Sequence, residues 1–204
     1  MATKREINER VTALIIHGFT VAHVIVGAVM GPAAGAVLTP MTIAMVIAIG
    51  TQYSANFKIQ KAIGVMTNFV GFILGVSIAE FIVGLFPGIG NIANAITTGI
   101  VTELLGWATF IVLRDGLDEK KDKMNLFDQI KLLKAAVELR KNNQDLTDKL
   151  NAARKSMPEY EREEYDRLMK IITDKDTSRE ERIDALHRAD EILKRYGVSI
   201  GVDL

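Results

Sequence analysis

The sequence predicts an all-α protein in two parts. A four-helix membrane domain of two Gly/Pro-turned hairpins occupies residues 1–113, and a charged helical soluble region of about three helices occupies residues 114–204. Three observations predict this. Between Val11 and Leu113 there are only four charged side chains, Lys58, Lys61, Glu80 and Glu103. From Arg114 to Leu204 there are 41 of the chain's 50 charges. Uncharged breaks rich in Gly and Pro divide the apolar half into stretches near the roughly 20 residues that a bilayer core requires.

Residues 1–10 form a polar lead expected to run helically into the first apolar segment, Val11–Met30. A basic start, an apolar run and the small residues from Gly31 to Ala36 also resemble a signal peptide, but the segment is read as a retained helix. Gly31, Pro32, Gly35, Thr39 and Pro40 are expected to break it. The second segment, Met41–Phe57, ends in polar residues, and Lys58 and Lys61 mark its exit. The third, Ala62–Phe86, carries one charge, Glu80, before the turn Phe86-Pro87-Gly88-Ile89-Gly90. The fourth, Asn91–Leu113, also carries one charge, Glu103.

In the charged half, Leu126, Ile130, Leu133 and Val137 form one apolar seam. Leu146, Leu150, Ala153 and Met157 form a second in shifted register. Ser156-Met157-Pro158-Glu159 reads as a capping box with Pro in the first turn of a new helix. Tyr165, Leu168, Met169 and Ile172 supply that helix's apolar side. Thr177-Ser178-Arg179-Glu180 starts another, with Ile183, Leu186, Ile192, Leu193 and Tyr196 inside and Gly197 at its end. The tail from Val198 is expected to be extended or loose. Asp174, Asp176 and Ser178 do not make a calcium loop, because Arg179 stands at the glycine position and Ala185 at the bidentate acid. The dense acid–base runs, such as Glu159 to Arg167, read as solvated helix faces or as a partner-docking helix.

Four crossings would put the amino terminus, the loop after Phe57 and the charged half on one side. Every basic residue falls there, so the positive-inside bias predicts a multi-pass protein of the inner or plasma membrane with both termini cytoplasmic. Hairpins that dip into one leaflet and return are the other way to satisfy the same pattern.

Candidate site residues follow from what lipid demands. Gly27, Gly31 and Gly35, then Gly71 with Gly75 and Gly84 with Gly88, recur at four-residue spacing that allows close backbone approach between helices. This favours packing within the chain, or homo-oligomer contact. Asn91, Asn94, Thr98, Thr102 and Thr109 lie on one helix face, suited to hydrogen bonding with a neighbouring helix or, with Glu103, to lining a pore. Glu80, Glu103, His17 and His23 are the ionisable groups inside the apolar segments, where such groups usually face a partner or water. His17 and His23, six apart, do not share one face and read chiefly as neutral packed histidines.

The residues Pro40…Met45…Tyr53, then Pro87-Gly88-Ile89-Gly90, Asn94-Ala95, Thr98, Thr102 and Leu105-Gly106, resemble the YcjF-like family of bacterial GTPase-associated helical membrane domains. The resemblance covers about residues 5–113. It departs at Gly31-Pro32-Ala33-Ala34, where that family usually has Pro-x-Pro-Gly, and at Ser54, where it usually has Gly. It implies membrane association and a GTPase partner, and it carries no catalytic residues.

With no P-loop, no nucleophile–base pair and a lone His187, no catalytic residue, metal ligand or cofactor is assigned, and an enzyme is the least favoured class. Lys plus Arg equals Asp plus Glu at 25 each, which leaves no field to gather nucleic acid. Cysteine is absent, which removes disulfides and thiolate chemistry. The expected function is an oligomeric membrane scaffold or anchor in contact with lipid, whose cytoplasmic helices bind a partner. The alternatives are a small homo-oligomeric channel and a soluble helical oligomer with a buried apolar half.

Overall fold

The computed structural model describes residues 4–30, 35–53, 94–115, 126–174 and 176–202. Seven helices form among them: α1 Lys4–Met30, α2 Gly35–Tyr53, α3 Asn94–Arg114, α4 Leu126–Asn142, α5 Gln144–Ser156, α6 Glu159–Thr173 and α7 Arg179–Lys194. The predicted segment Ala62–Phe86, with Glu80, and the turn at Pro87 lie outside the described residues.

The polar lead does continue into the first apolar segment, giving one helix of 27 residues, about 40 Å long at 1.5 Å per residue. The break expected at residues 31–40 is shorter than predicted, because α2 begins at Gly35 and carries Pro40 inside it. Proline removes one N–H from the helical ladder. Pro40 lies early in the helix and is exposed, and two residues on, Thr42 Oγ1 donates to the Leu38 carbonyl at 2.8 Å.

α1 and α3 pack antiparallel, and glycine sets their separation. A Cβ on Gly106 would come within 2.5 Å of Ile16 Cγ1, one on Gly99 within 2.9 Å of Val24 Cγ2, and one on Gly27 within 3.1 Å of Thr98 Oγ1. Rising numbers on α1 thus meet falling numbers on α3. α2 pairs with α1 in the same antiparallel sense, with Thr42 Oγ1 3.4 Å from His23 Nε2. The start of α1 and the ends of α2 and α3 therefore lie together.

Those three ends are embedded in the charged half. A single core of buried side chains runs from Leu14, Ile15, Phe19, Met45, Ile49 and Phe110 into Leu150, Leu168, Ile172, Leu186 and Leu193. On the other side of α3, Ile100 and Leu104 meet Val137 and Leu133 of α4.

In the charged half a one-residue break at Asn143 separates α4 from α5, so the two apolar seams predicted there belong to two helices. The capping box predicted at Ser156 does not form. Ser156 Oγ donates back to the Ala152 carbonyl at 2.9 Å, and Pro158 stands at the N-cap of α6 without a side-chain bond. A serine still inside the preceding helix turns its hydroxyl to that helix's own carbonyls. A capping box does form at the start of α7, within the predicted start Thr177-Ser178-Arg179-Glu180, where Ser178 is the N-cap and Glu181 reaches back. After α7, Gly197 adopts φ +74. Val198 N–H then bonds the Leu193 carbonyl and Gly197 N–H the Lys194 carbonyl, both at 3.1 Å, a Schellman arrangement that only an αL residue closes easily.

The tail is extended as expected, but it is held. Val198, Ile200 and Val202 are buried while Ser199 is exposed, the period-two pattern of an extended strand of chain. The buried Asp190 carboxylate accepts the Ile200 N–H at 2.7 Å and the Lys194 ammonium at 2.8 Å.

Candidate functional site

The feature that stands out is a seam where apolar helices enter charged ones, with an exposed apolar ridge beyond it. At the end of α2 the last carbonyls lack intrahelical donors and carry the negative end of the helix dipole. Two arginines at the start of α7 meet them. Arg179 Nε donates to the Thr51 carbonyl at 3.2 Å, and Arg182 Nη1 donates to Thr51 Oγ1 at 3.0 Å. The same buried guanidinium donates to the Ile172 carbonyl at 3.0 Å and the Asp174 carbonyl at 2.8 Å. Its partners are neutral oxygens, and burial pushes its pKa down.

Along α3, Glu103 forms an ion pair and hydrogen bond with Arg140 of α4. At the foot of α1, Glu9 Oε1 accepts from Asn143 Nδ2 at 2.9 Å, and Arg10 reaches the Ser199 carbonyl at 3.4 Å. Gly18 closes the seam: a Cβ there would strike Met169 Cε of α6 and lie 3.2 Å from Thr173 Cγ2. The charged helix α6 thus packs on α1 as far along as Gly18.

Past this level α1 changes character. From Val11 to Phe19 its apolar residues are at most 4% exposed, whereas Val21 is 40%, Ile25 58% and Val29 80% exposed. These three stand four apart on one face. Their exposure rises toward the end of α1. By length and composition Glu9–Val29 is the one stretch among the described residues apolar enough to cross a membrane, and 56% of it is buried inside the protein.

The predicted site residues fall as follows. Gly27 is buried against Thr98. Gly31, Gly71, Gly75, Gly84, Gly88 and Asn91 lie outside the described residues, as does Glu80, and only the helical placement of Gly35 and Asn94 is described. Thr102 and Thr109 are buried and turn their hydroxyls to the carbonyls of Thr98 and Leu105, each at 2.8 Å. His17 is buried in the shared core, and His23 is buried beside Phe19 with ring centroids 6.2 Å apart. The two histidines and Glu103 are not brought together: Glu103 pairs with Arg140 of α4, whereas His23 lies beside Thr42 of α2.

Sequence reasoning missed the closest glycine contacts among the described residues, at Gly18, Gly99 and Gly106. Gly99 and Gly106 are seven apart and so share a helix face, a spacing that a search for four-residue steps passes over. It also missed Arg182, although Arg182 sits on the same face as Ala185, Leu186 and Ala189, where a side chain must be buried.

No group of three metal-ligating side chains occurs among the described residues. No family model, curated protein or solved structure matches this chain. The YcjF-like resemblance rests on the residues quoted for it, and Pro87 to Gly90 among them lie outside the described residues.

Proposed function

We propose that the protein is a membrane-anchored helical scaffold. The far ends of its apolar helices meet lipid, and its charged helices form a rigid cap in the cytoplasm that holds partners. The observation that carries this is the uncovered ridge Val21, Ile25 and Val29, rising to 80% exposure at its tip. An aliphatic ridge on a helix without a charge from Val11 onward fits acyl chains better than water. The seam supports the scaffold part. Thr51, Glu103 and Glu9 are each tied to the cap, so a force or partner acting on the cap is transmitted to the anchor. Homo-oligomer contact and a GTPase partner, the latter implied by the resemblance alone, belong to this proposal.

A soluble helical oligomer is a second reading, favoured by one observation: the first half of α1 is a core helix of the protein itself. Fractionation separates the two. The scaffold reading expects the full chain to remain with carbonate-washed membranes and to float with vesicles of phosphatidylcholine and phosphatidylglycerol. A homogeneous, detergent-free particle that leaves vesicles behind would overturn it.

A further inference from the structure

We propose that His17 makes the seat of α1 in the charged half acid-sensitive: with a neutral imidazole α1 stays seated against α5 and α6, and with a protonated one the seat opens. This goes beyond the anchor reading and does not depend on it. His17 is 8% exposed and stands one residue before Gly18, where α1 lies against Met169 and Thr173 of α6. It therefore sits inside the joint between the apolar and the charged helices. Histidine is the side chain whose ordinary pKa, about 6.5, lies in the mildly acid range. The joint thus holds a group that changes charge before the carboxylates do.

The surroundings of the ring decide the sign. The charge that faces it is a cation, Arg154 of α5. The carboxylate nearest that cation is already engaged: Asp166 of α6 accepts from Arg154 Nε at 2.8 Å and Nη2 at 2.6 Å. α6 also carries Tyr165, whose phenol burial keeps protonated. The described residues of α2 include no charged side chain. On α3, Glu103 is paired with Arg140 and Arg114 with Asp115. On α1 itself, Glu9 and Arg10 are bound at the foot to Asn143 and the Ser199 carbonyl. No described residue hydrogen-bonds the His17 ring. A proton there would stand beside a second cation with little water, and burial and repulsion both disfavour it. Opening the joint returns the ring to water and to its ordinary value. The open form therefore binds more protons, so closure is favoured above about pH 7 and is lost as pH falls below about 6.5. For a ring that stays neutral while closed, the open fraction rises about tenfold between pH 7.5 and 5.5.

The chain has no cysteine, so one thiol can report on the joint in the otherwise intact chain. Ala13 is 4% exposed and lies four residues before His17, on the same face of α1. The Ala13→Cys chain, in mild detergent, would be treated with a soluble thiol reagent. Its rate at each pH is divided by the rate in denaturant, which cancels the thiolate fraction and leaves the open fraction. That ratio is expected to rise about tenfold from pH 7.5 to 5.5 and to depend little on low urea, as local openings do. Adding His17→Gln, or His17→Phe where the amide weakens folding, is expected to abolish the rise, and adding His23→Gln to leave it in place. No rise in the Ala13→Cys chain, or a rise that survives both His17 variants, would overturn the proposal. So would a rise that steepens with urea as global unfolding does, since His17 would then stabilise the whole fold without gating a joint. None of these outcomes bears on whether the chain floats with vesicles, which tests the anchor separately.

Discussion

Arg182 is where the two halves of this chain depend on a single side chain. Its guanidinium meets Thr51, Ile172 and Asp174, and a buried acceptor left without its donor costs about 1–3 kcal/mol. Arg182→Met, which keeps the length and loses the donors, is expected to lower stability by about 2 kcal/mol, seen as a fall in urea midpoint at unchanged slope. Glu161 tests the cap from the acid side. Hydrogen bonding from Tyr196, then the Arg195 contact, holds its carboxyl below the ordinary 4.5. A depressed carboxylate stabilises the fold above its unfolded value and loses that contribution as pH falls through the folded one. Glu161→Gln is therefore expected to be less stable near pH 7 but to show a shallower loss below about pH 4.5, measured as urea midpoint against pH. Neither role was plain from the sequence. Charged residues in a dense acid–base run look alike until a fold selects the few that turn inward, and only the apolar neighbours of Arg182 at steps of three, four and seven hinted at its burial.

At the scale of the helices, glycine rather than threonine governs how α1 meets α3. The four-residue glycine spacing led to Gly27, where an added Cβ would find Thr98 Oγ1 at 3.1 Å, a contact that a small shift relieves. The tighter approach is at Gly106, where Ile16 Cγ1 and Cδ1 would stand at 2.5 and 2.8 Å. Overpacking of this kind typically costs about 1–3 kcal/mol, so Gly106→Ala is expected to destabilise clearly and Gly27→Ala only slightly. Adding Ile16→Ala to Gly106→Ala should cost less than the two single losses combined, because each removes what the other strikes; thermal or urea unfolding of the four proteins closes the cycle. Among the described residues the helical character of each segment was legible because uncharged runs and their punctuation are local signals. Three features were not. Pro40 has the chemistry of a breaker, yet α2 carries it early and exposed. Ser156 stands where a cap is expected, yet its hydroxyl bonds within α5. The face of α3 that meets α1 follows a seven-residue glycine step, which only the partner helix makes meaningful.

For the whole molecule, the contrast in charge along the chain predicted two solvents, and the fold joins them through one interior. Val11 to Phe19 and Ala44 to Ile49 belong to the same buried cluster as Leu168, Leu186 and Leu193. Burial patterns along single helices could not reveal this, because an apolar helix wrapped by lipid and one wrapped by protein have the same composition. The consequence concerns independence. Residues 114–204 alone would expose the faces of α6 and α7 that now cover α1 and α2, and Arg182 would lose Thr51. At about 25 cal/mol for each Å² of apolar surface returned to water, a few hundred Å² amounts to about 5–10 kcal/mol, comparable to the whole stability of a small domain. The isolated segment 114–204 is therefore expected to retain helical circular dichroism but to unfold over a broad, non-cooperative range of urea and to bind a hydrophobic dye. The full chain, held in mild detergent, is expected to unfold its cap in one sharp step. A fragment with a sharp transition and no dye binding would show that the cap is a self-sufficient domain, and that the buried cluster joins two folded parts where it is here taken to build one.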